Sequence, residues 1–380
     1  MNAGQEELRA AVRDFVQKEL PPGTSRHHDA EETFPLDKYL RFAEMGYLGI
    51  GIPEEYGGRG GGFVDLAIML EELAQGMMSF ALMVFRSAVH GAQTLLRLDD
   101  DKAEEQRKYF LPKIVEGSAR FSLSLSEYGA GSDAAGIQLR ADRDGDDFVL
   151  NGQKHWSSAL DVATHIIVVA RTDQEARHRG VSIFLVPSDH PGLTKTRLHA
   201  LGDRASGTWD VEYRDVRVPA TDMLGSLNAG WLVLMADLEK ERLCQCAYSA
   251  GGSRAVLDRA IEYARSREQF GQPIGSFQVI QHKLADMATE AHIGRLMLYD
   301  LAQRIDRGER CDLEASMAKL YCTEMYYRVA DNALQIHGGQ GYMMDSDMQL
   351  HLRDARLLKI GGGTVEVMRN IIAKRLGLPA

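Results

Sequence analysis

At 380 residues the chain is long enough for two or three domains around a large core. With 44% hydrophobic residues, 26% charged residues and 10 prolines, it reads as an ordered globular protein rather than a disordered one. A net charge of -10 without a Lys/Arg-rich block argues against a nucleic-acid partner, so an anionic ligand needs a local basic pocket.

The opening MNAGQEELRAAVRDFVQKEL is an amphipathic, mixed-charge helix rather than a signal peptide, and no run approaches the ~18 apolar residues of a membrane span. A cytoplasmic protein with no membrane partner is the expectation. The helical period continues to about residue 117, broken at LPPGTSRHH and IGIPEEYGGRGGG, where Pro and Gly cluster. The segment FVDLAIMLEELAQGMMSFALMVFRSAVHGAQTLLRL is apolar on more than one face, so it must be mostly buried.

From about 118 to 223 the period becomes two. FVLNGQK, THIIVVART, GVSIFLVPS and GTWDVEYRDVRVP are short β-branched or aromatic runs separated by turn residues, as an antiparallel barrel or sandwich requires. No long helix divides them and no glycine group forms G-x-G-x-x-G, which disfavours a dinucleotide-binding parallel sheet.

Beyond about 226 the chain is helical again. Ile280, Leu284, Met287, Ala291, Gly294, Leu298, Leu301 and Ile305 predict one long bundle helix with a continuous inner seam. The expected organisation is α+β multidomain: helical domain 1–117, antiparallel β-barrel 118–223 and C-terminal four-helix bundle 224–380. Cys244, Cys246, Cys311 and Cys322 show no C-x-x-C and no zinc spacing, so they read as reduced packing residues, with no metal expected.

In the helix GWLVLMADLEKERLCQCAYSAGG a charged island, Asp237 and Glu239 to Arg242, interrupts apolar sequence. Two readings stand: one solvated turn, or a buried carboxylate. Leu234, Leu238, Glu241, Gln245 and Tyr248 fall on one stripe, which gives Glu241 buried-looking neighbours. A carboxylate in apolar surroundings gains affinity for protons, as a base working near neutral pH needs. Spacing does not separate Glu239 from Glu241.

SLSEYGAGSDAAG at 124–136, NGQKHWSSA, GLTKTRLHALGDRASGTWDVEYRDVRVP, SREQFGQPIGSFQVIQHKLADM and DNALQIHGGQGYMMDSDMQLHLRDARLLKIGGGTVEVMRNIIAKRLG follow in order over most of 120–377. In them the chain resembles the acyl-CoA dehydrogenase family. The resemblance implies helical, barrel and bundle domains, non-covalent FAD and a homotetramer, or at least a dimer. It implies that the strand around Leu123, Leu125 and Ser126 lies along the flavin, with Gly131 and Ser132 near the pyrophosphate and Ser132 also toward substrate. Tyr128 stands where the family usually has proline, which leaves that turn less rigid. Trp156 and Ser158 match the family's Trp-x-Thr beside the flavin ring. Arg267, Phe270 and Gln278, with Gln335, Gly338 and Gly339, match residues that reach a neighbouring subunit's cofactor. Thr364 and Glu366 would bracket the flavin, although Glu366 replaces a glutamine of some relatives.

Many family members carry their α-proton base at the position of Gly362. The branch that includes isovaleryl-CoA and prolyl-carrier-protein dehydrogenases carries it on the first bundle helix, which matches Glu241 without a gap. The implied reaction is α,β-dehydrogenation of an acyl thioester, on CoA or a carrier protein, with the β-hydride passing to flavin N5. Arg242 and the Gly362 N–H would contact substrate, and an electron-transfer flavoprotein or another acceptor would reoxidise the cofactor. The alternatives are an enoyl-thioester reductase, a flavin oxidase or a non-catalytic flavoprotein subunit.

Overall fold

Asn2 opens the first helix with a reciprocal cap, its side chain accepting from Gln5 N while Gln5 Oε1 accepts from Asn2 N. The computed structural model describes residues 1–378, so the last two positions of the region expected over 224–380 lie outside the described residues. The N-terminal helices are α1 (Ala3–Glu19), α2 (Thr24–Glu31), α3 (Leu36–Glu44), α4 (Phe63–Gly76), α5 (Met78–Phe85), α6 (Thr94–Arg97) and α7 (Ala103–Val115). α5 is buried throughout and α4 nearly so, as their all-round apolar pattern requires. Between α5 and α6 the segment Arg86–Gln93 is π-helical, an uncommon wide turn that concentrates at functional sites. It carries Arg86, Ser87 and His90 into the interior.

The strands are β1 (Phe121–Ser124), β2 (Arg140–Asp144), β3 (Asp147–Ser158), β4 (His165–Arg171), β5 (Val181–Pro187), β6 (Leu193–Leu198), β7 (Thr208–Pro219) and β8 (Met223–Leu224). They pair in the order β6-β7-β3-β2-β4-β5-β8. Inward residues such as Leu150, Val168, Phe184 and Val218 share one core, which the sheet curls around. The pairing is antiparallel except along one edge of β4, where β1 runs parallel to His165–Val168 and Arg140 of β2 runs parallel to Arg171. β1 and β2 therefore lie in line, and the intervening stretch, residues 125–139, bulges from that edge as a loop. Period-two sequence cannot show such a join, because strand direction leaves no mark on side-chain alternation.

The C-terminal elements are α8 (Gly230–Ser266), the hairpin β9 (Glu268–Gln269) and β10 (Gln272–Pro273), α9 (Gln278–Asp306), α10 (Asp312–His337), α11 (Gly339–Tyr342), α12 (Asp347–Leu358) and α13 (Val365–Arg375). α8 packs along α4, α9 and α10. Gly251 and Gly252 permit the close approach: a Cβ on the first would enter the Glu71 carbonyl of α4, and on the second the Tyr326 ring of α10. This clamp fixes how α8 presents the charged island. On α9, Met287, Gly294, Leu298 and Leu301 of the expected seam are buried, while Ile280, Leu284, Ala291 and Ile305 are half-buried. All four cysteines are buried and free.

Candidate active site

The charged island is internal rather than a solvated turn. Asp237 is buried and accepts from Thr94 Oγ1 at 2.6 Å and Arg97 Nη1 at 2.8 Å. Arg242 is buried, and the Lys240 ammonium sits 5.5 Å from the Phe63 ring centroid. Glu239 is half-buried, and burial, then the nearby Asp312, pushes its carboxyl up. Glu241 points elsewhere, with its side chain only 15% exposed. Gln245 Nε2 donates to its Oε1 at 3.2 Å, and His90 Nε2 lies 3.9 Å from Oε2. Burial lowers the His90 imidazole below its usual value despite the Glu241 carboxylate, which favours the neutral ring.

Opposite this carboxylate is the glycine turn. Gly362 and Gly363 have φ of +63° and +88°, in the left-handed region that other residues rarely occupy. A Cβ built on Gly362 would overlap Gln245 Nε2 and lie 2.8 Å from Glu241 Oε1. A side chain at 362 and the side chains present at 241 and 245 thus compete for one space.

Lys319, which the sequence pattern did not single out, ties down the turn: it is fully buried and donates to Gly363 O at 2.6 Å. Burial pushes its ammonium down to about 8, against the pull of Glu241. Because the folded value lies below the unfolded 10.5, the unfolded chain binds more protons between these values. The group costs the native state on the order of 3 kcal/mol below pH 8, and that cost fades as pH rises to 10.5. Thermal melts of Lys319→Met should therefore lack a rise in stability that the parent shows over this window. Parallel curves would exclude Lys319 as the titrating group.

Thr364 accepts from Val367 N at 3.2 Å and so caps α13. Glu366 is exposed in the first turn of α13, where its own backbone N–H, then Thr364, holds its carboxyl below the usual range.

On the β domain the structure brings Leu123, Leu125, Ser126, Trp156 and Ser158 together. Ser122 Oγ donates to Ser158 O at 2.7 Å, and His155 N to Ser126 O at 2.9 Å. Trp156 sits in a register shift of β3, at φ +60° and 49% exposed. A bulge re-aims its residue out of the ladder, and a bulky residue held there marks local strain of the kind found at ligand sites. Beneath the loop, buried Lys154 donates to Leu125 O at 2.8 Å and Glu127 Oε1 at 2.9 Å, while Glu127 also accepts Gln138 N and Leu139 N. Tyr128 is tied down despite lacking proline's fixed backbone: its ring centroid is 3.5 Å from that of His155, and its hydroxyl donates to Asp210. Gly131 and Ser132 are exposed, and nothing lies within 4 Å of a Cβ added to Gly131. An outward indole, half-buried leucines and an open glycine loop fit a flat ring system with a phosphate arm.

Arg267, Phe270, Gln278, Gln335, Gly338 and Gly339 are all exposed and are not brought to Glu241. Arg267 lies about 39 Å further along α8 at 1.5 Å per residue. Phe270, 94% exposed, forms with Gly271 the two-residue turn of the β9–β10 hairpin. Arg86 entered the sequence reading only as the end of the stretch Met77 to Arg86 that sets acyl length, and His90 escaped it, although two polar residues four apart in FALMVFRSAVHGA were a signal. A cavity of about 710 Å³ among α1, α4, α8 and α9 is remote from this chemistry, and its Arg9, Arg295, Glu71 and Glu72 already pair with one another.

Sequence profiles of the acyl-CoA dehydrogenase N-terminal, middle and C-terminal domains match residues 2–118, 122–216 and 228–377. A probable acyl-CoA dehydrogenase of Bacillus subtilis is 39% identical over 98% of this chain and 97% of its own. A 3-(aryl)acrylate reductase of Clostridium sporogenes is 34% identical over 97% of both chains. The solved prolyl acyl carrier protein oxidase AnaB superposes with a TM-score of 0.94 at 31% identity, over 100% of each chain.

Proposed function

Because this chain belongs to the acyl-CoA dehydrogenase family of FAD-dependent oxidoreductases acting on CH–CH bonds, we propose that it dehydrogenates an acyl thioester at its α,β-bond, with Glu241 as the base. The observation that carries this reading is the meeting of Glu241 with the space a side chain at Gly362 would fill. Glu241 Oε2, beside His90, takes the α-proton, while the bond from Gln245 Nε2 to Oε1 fixes the rotamer. The Gly362 N–H, on a turn held by Lys319, donates to the thioester oxygen as negative charge develops there. One such donor contributes about 2.7–4 kcal/mol in a transition state. Arg242 offers a buried cation beside Glu241. FAD, when bound, supplies the two-electron acceptor for the β-hydride.

Leu123, Leu125, Ser126, Trp156 and Ser158 would hold the ring system, Gly131 and Ser132 the pyrophosphate, and Thr364 and Glu366 the bundle side. Arg267, Phe270, Gln278, Gln335, Gly338 and Gly339 would serve the cofactor of another subunit, since about 39 Å of helix separates Arg267 from Glu241. Exposed Val279, Ile293 and Leu296 on α9, at 62%, 40% and 59%, support an oligomer. A monomer that holds FAD tightly would sink this assignment. An electron-transfer flavoprotein would accept the electrons.

The test is anaerobic titration with saturated thioesters on CoA and on carrier protein, which should bleach the flavin. The reductase relative supports the reverse direction as a second reading. Reoxidation of the reduced protein by enoyl thioesters, with no bleaching by saturated ones, would establish that direction instead. A colourless protein that takes up no FAD would overturn both.

A further inference from the structure

Around Glu241 four side chains, each nine-tenths or more buried, carry a polar atom without a partner among the described residues: Arg86 Nη1, Arg242 Nε, Gln245 Oε1 and Tyr248 Oη. Folded proteins leave few buried polar atoms unmet, so a group of them calls for a water, an ion or a ligand group to satisfy it. Two of the four lie at the thioester end: Gln245 bonds to Glu241, and Arg242 is its neighbour on α8.

Arg86 and Tyr248 lie further in. The π-helical segment runs antiparallel to α8, with His90 opposite Glu241 and Phe85 against Tyr248 at a centroid distance of 6.2 Å. Tyr248 is therefore about 10 Å deeper than Glu241 along α8. Arg86 is ion-paired but not hydrogen-bonded there: Asp203 Oδ2 lies 3.8 Å from its Nη2, and its Nη1 has no partner among the described residues. Arg97, on the same run of helix, is instead fully engaged by Asp237 and the Val233 carbonyl. A plain hydrocarbon tail reaching this depth would leave Arg86 Nη1 and Tyr248 Oη unmet. A carboxylate would satisfy both, because guanidinium is a planar fork matched to that group.

We propose that the acyl group carries a second carboxylate at its far end, received by Arg86 and Tyr248. The substrate class is thus monothioesters of dicarboxylic acids, an inference that rests on the dehydrogenase reading of Glu241. Glu241→Gln separates binding from turnover. On that FAD-loaded variant, flavin absorbance shifts measure the Kd of CoA monothioesters of dicarboxylic acids, about four to eight carbons long to span the roughly 10 Å of α8 between Glu241 and Tyr248. Plain acyl-CoA of equal length and the ω-amide serve as controls. The carboxylated ligand should bind at least ~10-fold tighter than either. The ratio should fall towards unity on adding Arg86→Met, and by roughly 3-fold or more on adding Tyr248→Phe, which removes only a hydroxyl and keeps the test open where Arg86→Met does not fold. Equal binding of the three ligands, or a ratio that survives both substitutions, would overturn the inference. Pantetheine thioesters repeat the comparison without the nucleotide. Failure of the parent reading is distinct: the wild-type flavin would not bleach with any thioester, whatever the binding ratio.

Discussion

Glu241→Gln should leave FAD bound and slow anaerobic bleaching by a thioester about 10²–10⁴-fold, the span of general-base contributions. Glutamine matches glutamate in shape, and its amide oxygen can still accept from Gln245 Nε2, which now bonds to Glu241 Oε1 at 3.2 Å. The turn at Gly362 and the helix clamp at Gly251 and Gly252 are untouched, so the melting temperature should move little. Only the capacity to take a proton is lost. His90 cannot replace it readily, since its neighbour-facing Nε2 is 3.9 Å from the carboxylate rather than in the same place. Glu239→Gln is the control, because Glu239 has Asp312, Arg242 and Arg310 as its charged neighbours and is not among the atoms nearest a Cβ on Gly362. A Glu241→Gln protein that bleaches at the parent rate, or a Glu239→Gln protein that loses the reaction, would remove Glu241 from its role.

The contrast between these two glutamates shows what a single sequence can carry. Periodicity placed both on one helix, and the stripe Leu234, Leu238, Glu241, Gln245, Tyr248 placed Glu241 among buried neighbours, because a helix face is a local property. The change from period 3.6 to period two and back was legible for the same reason. The overlap of Gly362 with Gln245 was not, since it depends on how α8 and the α12–α13 turn approach one another across the bundle. Lys319 was hidden in SMAKLYCTEM, where a lysine between apolar residues reads as solvated; burial against the Gly363 carbonyl is a tertiary fact. The in-line arrangement of β1 and β2 on β4 was likewise outside local pattern. Recognition through ordered motifs carried the cofactor expectation, but motifs do not reveal that Arg86 stands 3.8 Å from Asp203 with one nitrogen unpartnered among the described residues.

Gly362→Glu, which puts a carboxylate at the alternative base position that the family resemblance implies, should abolish activity and lower stability in this chain. The left-handed backbone at φ +63° costs a side-chain-bearing residue about 1–2 kcal/mol. The new Cβ would also overlap Gln245 Nε2 and stand 2.8 Å from Glu241 Oε1. Two carboxylates forced together would share a proton near neutral pH, and neither would then be a free base. These causes separate by mutation. Adding Gln245→Ala removes the overlap but not the backbone strain, and it should recover part of the lost melting temperature. Adding Glu241→Ala as well removes the charge repulsion and leaves one carboxylate facing the same space from the other side. That triple variant should bleach with thioester at least ~10-fold faster than Glu241→Ala alone, though more slowly than the parent because the turn remains strained. If the triple variant is folded, holds FAD and is no faster than Glu241→Ala, the two positions do not converge on one reacting carbon, and the either-or relation between residues 241 and 362 fails.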